Sequence, residues 1–147
     1  MNVQNNFPLR NGRKFNGLPL DTNACIQILN SPNSSVTQKI LSIPSREIYI
    51  CTIVYSELYY GAYKSANVDR NLIHLENLFA EFVDLPLDRQ AAKIAGKIRA
   101  RLNALGTPIG ANDLLIAAIA LANDLTLVTH NTREFSRIEG LKYEDWE

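Results

Sequence analysis

The chain has 147 residues, 46% hydrophobic and 20% charged, with 15 basic and 15 acidic side chains that leave no net charge. At about 150 residues a chain can bury roughly 68–70% of its unfolded surface, which suits one core and not two. That apolar content excludes a disordered chain, and electroneutrality excludes a polyanion binder that relies on an overall basic excess.

Any role on nucleic acid must therefore use a local patch or cations recruited to the site. The longest apolar run, Leu114 to Ala122, has nine residues, against about 20 for a bilayer span. The first 17 residues lack the apolar stretch of a secretory leader. Cys25 and Cys51 are too few for a disulfide scaffold and too far apart for a local metal motif, so they are expected as reduced core residues of a cytoplasmic protein.

In chain order, residues 1–17 are rich in Asn and Gly and carry Arg10, Arg13 and Lys14 without an acid. They are expected to form a flexible basic arm, followed by one domain over 18–147 with 12 basic and 15 acidic residues. Leu18 to Leu20 is a short apolar strand, and a helix over 23–29 ends at Asn30, Ser31 and Pro32. Ser34 or Ser35 caps a helix reaching Ile43, and EIYIC (47–51) is β-rich. Thr52 is expected to cap a helix to Tyr60 with Gly61 just past its end. A helix over 68–82 and a strand over 82–85 follow. From Asp88 to Leu105, Ala91, Ala95, Ile98, Leu102 and Leu105 step by four and three, the signature of one helical face. Gly106 and Pro108 end it. Asn112 or Asp113 caps an almost wholly apolar helix to Ala122, which must be buried on most sides. Leu125 to Val128 is another strand, and a tail with Phe135, Ile138, Leu141 and Trp146 closes the domain. Strands alternating with helices predict an α/β fold of three layers, a parallel sheet of about four to five strands covered on both faces.

Ligands of such sheets sit beyond the carboxyl ends of the strands. There the sequence places Asp21-Thr22-Asn23 and Thr129-His130-Asn131. Three acids occupy unusual contexts: Asp21 follows an apolar strand, Glu57 lies within IVYSELYYGA, and Asp113 opens the apolar helix. Each has an ordinary alternative, as a helix cap for Asp21 and Asp113 and as a solvated residue for Glu57. If the three converge, like charges about 4 Å apart repel by roughly 4 kcal/mol per pair at an effective dielectric near 20. Such a cluster persists only when protonated or bridged by cations. All-oxygen donors suit Mg²⁺ or Mn²⁺, which activate water for in-line attack on phosphorus.

The segments LDTNACIQILN (20–30), IVYSELYYGAYKS (53–65) and IGANDLLIAAIALANDLTLVTHNTREFSRIEGLKYEDW (109–146) together resemble the PIN-domain ribonucleases of the VapC toxin type. The resemblance covers about residues 18–147. It implies Mg²⁺-dependent cleavage of RNA, inhibition by a VapB-like antitoxin, and a homodimer. Carried over, the family's metal carboxylates fall on Asp21, Glu57 and Asp113, with Asn131 as a catalytic residue orienting water. Thr22, Asn23 and Thr129 would position substrate. The sequence departs from the family pattern in three places. THNTREF offers Thr129, Asn131 and Glu134 but no aspartate where many relatives carry a fourth acid. Pro19 lies in the first strand, where a central strand disfavours it. The basic arm has no counterpart.

Arg89, Lys93, Lys97 and Arg101 recur every four residues, either as a solvated helix face or as a ridge that tracks RNA phosphates. Tyr55, Tyr59, Tyr60 and Tyr63 suit core or dimer packing, with base stacking or antitoxin contact as the alternative. His130 is expected to make local hydrogen bonds. Three functions remain open: a metal-dependent endoribonuclease, a catalytically impaired PIN-like module that binds RNA or a partner, and a metal-dependent phosphatase or DNA nuclease that would use the same carboxylates.

Overall fold

A computed structural model describes residues 16–147. It contains a five-stranded, fully parallel sheet in the order β3-β2-β1-β4-β5. β1 (Leu18–Leu20) leads to α1 (Thr22–Asn30) and α2 (Ser35–Leu41); β2 (Ile48–Cys51) leads to α3 (Thr52–Tyr63) and α4 (Val68–Glu81). β3 (Val83–Leu85) leads to α5 (Arg89–Ala104) and α6 (Ala111–Ala122); β4 (Leu127–Val128), α7 (Thr132–Phe135) and β5 (Tyr143–Glu144) complete the chain. Parallel strands joined by helical crossovers place helices on both faces, so every residue of IYIC in β2 is buried. The order reverses between β1 and β4, and the crevice beyond their carboxyl ends is the natural ligand position of an open parallel sheet.

Pro19 is compatible with its central strand for a specific reason. The Asp21 N–H donates to the Val128 carbonyl at 3.0 Å, and β1 pairs with β4 only at Leu20↔Val128. Backbone polarity alternates along a strand, so Pro19, two residues earlier, turns the same way as Asp21. Its missing donor therefore faces the side where the β4 ladder has not begun. On the other side β1 keeps full register with β2, including Pro19↔Tyr49.

Local chemistry sets most helix ends. Asp21, Ser34 and Asp88 each accept a bond from the backbone N–H three residues on, at 2.9, 3.1 and 2.9 Å. Such caps contribute about 1 kcal/mol each. α5 stops as expected at Gly106, whose φ is +70°; the Gly106 N–H reaches the Asn103 carbonyl and Thr107 N–H reaches that of Leu102, which closes the helix end.

Three expectations change. α3 continues through Gly61 to Tyr63, because Gly61 lies on an open helix face and Lys64 ends the helix instead. Thr52 does not cap α3; its hydroxyl accepts from the Leu87 N–H at 3.2 Å and ties down the β3–α5 connection. Neither Asn112 nor Asp113 caps α6, which begins at Ala111 after Gly110, so both side chains are released for other partners.

The arm expected over residues 1–17 lies mostly outside the described residues. Gly17 is within them and is buried. A Cβ there would come within 2.4 Å of the Glu47 carbonyl oxygen and 2.7 Å of Tyr49 Cζ. This close approach lets the chain enter β1 across the Tyr49 ring. Cys25 and Cys51 are buried free thiols, and their burial pushes both pKa values up.

Packing then positions the site. Ala91 and Ala95 of α5 and Ala117, Ala118 and Ala120 of α6 are buried, and these small side chains permit close helix approach. Phe135 is fully buried in the main core and pins the four-residue α7, which aims its neighbour Glu134 outward to the crevice.

Candidate active site

The crevice is a pocket of about 780 Å³ lined by Glu57, Asp113, Asn131 and Glu134, with Gly110 to Asn112, Arg133 and Arg137 around them. Asp21 lies beneath, only 5% exposed. One carboxylate oxygen of Asp21 caps α1 through the Ala24 N–H; the other accepts from the Thr129 hydroxyl at 2.5 Å. Asp21 is thus both the helix cap and a member of the acid group. Burial pushes its pKa up, the Thr129 and Ala24 bonds oppose this, and Glu147 and Glu57 push further upward.

Glu57 reaches the crevice from α3. Its carboxylate accepts from the Thr22 hydroxyl and, at 2.8 Å, from the Asn112 amide. Asp113 accepts from the Asn131 amide at 2.8 Å, and the same amide lies 3.4 Å from Glu134. Asp113 and Glu134 face each other across the Asn131 amide, and each perturbs the other's titration. Burial, hydrogen bonding with Glu134, and the charges of Glu134, Glu57 and Asp21 raise the Asp113 pKa to about 7. Glu134, accepting from Asp113, from the Gly110 N–H and from Asn131, is held below its usual value. The two shift in opposite directions, Asp113, the more buried member, upward and Glu134 downward.

The structure brings these residues together in two adjacent hydrogen-bonded sets: Asp21, Thr129, Asn131 and Asp113 in one, and Thr22, Glu57 and Asn112 in the other. Thr129 is 1% exposed; its hydroxyl donates to Asp21 and accepts from the Asn131 N–H at 3.0 Å. Asn23 is exposed on the first turn of α1 and joins none of these bonds. His130 points elsewhere: its Nδ1 lies 3.1 Å from Asp145, and that carboxylate raises the imidazole pKa.

The sequence reading missed Glu134 as a member of the acid group, and with it Asn112, Arg133 and Arg137. Glu134 stands three residues after Asn131, and α7 winds the two onto the same face. That spacing was the available signal; what hid it was the difficulty of recognising a four-residue helix from its sequence.

Among the described residues, no three His, Cys, Asp or Glu side chains are drawn together as a ready-made metal cage. The acids are held by amide and hydroxyl donors, and among the described residues no Lys or Arg forms an ion pair with Asp21, Glu57, Asp113 or Glu134. A set of carboxylates with no paired cation among the described residues has the donor chemistry of a hard divalent-ion site.

This fold and this acid group define a class, and comparison with known proteins identifies it. Residues 19–141 match the PIN-domain family, and the chain belongs to that family. It is 39% identical over 127 residues to the tRNA(fMet)-specific endonuclease VapC of Salmonella typhimurium, covering 86% of this chain and 96% of that protein. The crystal structure of DNA-bound VapBC from Salmonella typhimurium superposes with a TM-score of 0.83 and 40% identity, over 89% of this chain and 98% of that one. VapBC2 from Rickettsia felis, bound to a DNA fragment from its promoter, superposes with a TM-score of 0.82 and 34% identity, over 88% and 98%. PIN-domain nucleases are in general metal-dependent.

Proposed function

We propose that the chain is an endoribonuclease and the toxin of a toxin–antitoxin pair, hydrolysing RNA phosphodiester bonds with Mg²⁺, or Mn²⁺, held by Asp21, Glu57, Asp113 and Glu134. The observation that carries this reading is the convergence of Glu57, Asp113, Asn131 and Glu134 on one pocket above the buried Asp21, with none of the four acids in an ion pair with Lys or Arg among the described residues. The similarity to proteins named as VapC endonucleases and ribonucleases supports RNA as the substrate.

When bound, the cation supplies neutralising charge and an acidified water for in-line attack on phosphorus. The chain's own residues prepare the rest. Thr129 and the Ala24 N–H fix the orientation of Asp21, while Thr22 and Asn112 fix Glu57. Asn131 bridges Asp113 and Glu134 and is placed to orient water beside them. Asp113, whose pKa is raised by its burial and its acidic neighbours, would have to be deprotonated to hold the cation. Ala111 and Asn112 open α6 at the rim, where first-turn N–H groups favour a phosphate oxygen. Arg133 and Arg137, on the same rim, add positive charge for the polyanion.

The binding-module alternative drew on an absent fourth acid and on Pro19. With Glu134 beside Asp113 and with the missing Pro19 donor on the side where β4 has not begun, no observation favours it. Among the described residues no helix is long and apolar enough to cross a membrane; we place the protein in the cytoplasm with its RNA. Its inhibitor would be a VapB-like antitoxin, as the VapBC complexes suggest, and the active form a homodimer. Tyr60 and Tyr63, exposed on α3 while Tyr55 and Tyr59 pack edge-on against Phe79, are available to either contact.

The test offers the purified chain RNA and DNA oligonucleotides of one sequence, with Mg²⁺, with Mn²⁺ and with a chelator. Cuts in RNA that need the metal are expected. Failure to cut RNA under every metal condition, or equal cutting with the chelator, would overturn the reading.

A further inference from the structure

A second groove, of about 1620 Å³, runs along the outer side of α5. Arg89, Lys93, Lys97 and Arg101 line it, spaced one helical turn apart along about 18 Å of helix. Its floor is aliphatic, with Ile94 and Ile98 of α5 facing Leu121 and Ile138. Arg137 lines both this groove and the acid pocket, so the two are continuous. Its guanidinium is held at that junction by the Pro108 carbonyl, 2.9 Å away, and its charge helps lower the Glu134 pKa.

The acids along this groove are already engaged. Asp88 caps α5, Glu139 pairs with Arg101, and Asp124 pairs with Lys142 at 2.9 Å. Arg89, Lys93 and Lys97 form no ion pair among the described residues. The groove therefore has unneutralised cations along α5, an apolar floor, and an open end at a pocket of carboxylates.

From this juxtaposition we infer that the α5 groove is the track of the RNA substrate beyond the scissile bond. Phosphates lie along Arg89, Lys93 and Lys97, unstacked base faces rest on the aliphatic floor, and Arg137 hands the strand to the acid pocket. The inference rests on the ribonuclease reading and extends it from the cut site to how the strand is held. An anionic protein segment is the competing occupant; the continuity through Arg137 favours the strand that enters the acid pocket. The track also resolves how an electroneutral chain holds a polyanion: the required cations are gathered on one helix.

The test compares the wild type with Lys93→Glu/Lys97→Glu and, as the milder pair, Lys93→Gln/Lys97→Gln. Binding of a fluorescent single-stranded RNA of about 20 nucleotides is measured with a chelator across a salt series, so no cut intervenes; loss of two phosphate contacts lowers the salt slope by about 1.4. Affinity at low salt is expected to fall about tenfold for the Glu pair and less for the Gln pair. In Mg²⁺, the kcat/KM on that RNA relative to a tetranucleotide is expected to drop about tenfold, through KM. An unchanged salt slope with an unchanged long-to-short ratio overturns the track. So does unchanged RNA binding combined with lost binding to an acidic peptide or lost self-association, which would assign the groove to a protein. A reduced slope in a protein that cuts no RNA would uphold the track and refute the nuclease.

Discussion

Asp113→Asn is expected to make the protein more stable and inactive at once. Folding raises the Asp113 pKa from 3.8 to about 7. A group whose folded pKa lies above its unfolded value binds its proton more tightly when folded. The folded state is therefore favoured at low pH and loses that advantage as pH rises from about 4 to about 7. A shift of this size corresponds to about 4 kcal/mol for a fully buried, isolated group. Asp113 is only part-buried and Glu134 shifts in the opposite sense, so about 1–2 kcal/mol is a realistic fraction. Asn removes the charge and can still donate to Glu134, as the protonated Asp113 does. Thermal unfolding with a chelator present should show the variant melting about 3–8 °C higher at about pH 8, by roughly a third as much at about pH 5, and unchanged only near about pH 3. A lower melting temperature at about pH 8, or the same gain at about pH 3 as at about pH 8, would refute the raised Asp113 pKa.

Four further outcomes follow from named contacts. Asp21→Asn should abolish cleavage with little loss of stability, whereas Asp21→Ala should also lose about 1 kcal/mol of α1 capping; denaturant melts beside cleavage assays separate the two. Glu134→Gln should reduce cleavage by about 10²-fold or more if this acid helps hold the cation, and near-wild-type rates would remove it from the site. Thr129→Val deletes a bond that lowers the Asp21 pKa, so the acid limb of the pH–rate profile should move to higher pH; an unmoved limb would show that Thr129 does not tune Asp21. Gly17→Ala drives a methyl into the Glu47 carbonyl and the Tyr49 ring and should lower stability by about 1–3 kcal/mol, read by chemical denaturation.

The parts of this molecule legible in its sequence are those where one local signal suffices. The four-three spacing of α5 with Gly106, the apolar run of α6, and the β-rich IYIC each specify their element with little help from the rest of the chain. Asp21, Glu57 and Asp113 stood out because each sits in an apolar context that disfavours a charge. What was not legible depended on contacts distant in sequence. Asn112 and Asp113 are good caps in isolation, yet Glu57, from α3, and Asn131, from beyond β4, claim their side chains. Gly61 is a plausible helix terminator, but nothing crowds it and the helix runs on. β5 is two residues long and exists only because β4 offers it an edge. Glu134 reached the acid group through α7, a turn held by the burial of Phe135 rather than by any propensity of its own.

The most direct test of the central claim is a side-by-side assay of total cellular RNA with wild-type protein and the Asp21→Asn variant, each titrated with Mg²⁺ and read as discrete cleavage bands. The account predicts bands that appear with the metal for the wild type and never for the variant, whose fold is preserved. Bands of equal strength from the variant would contradict it.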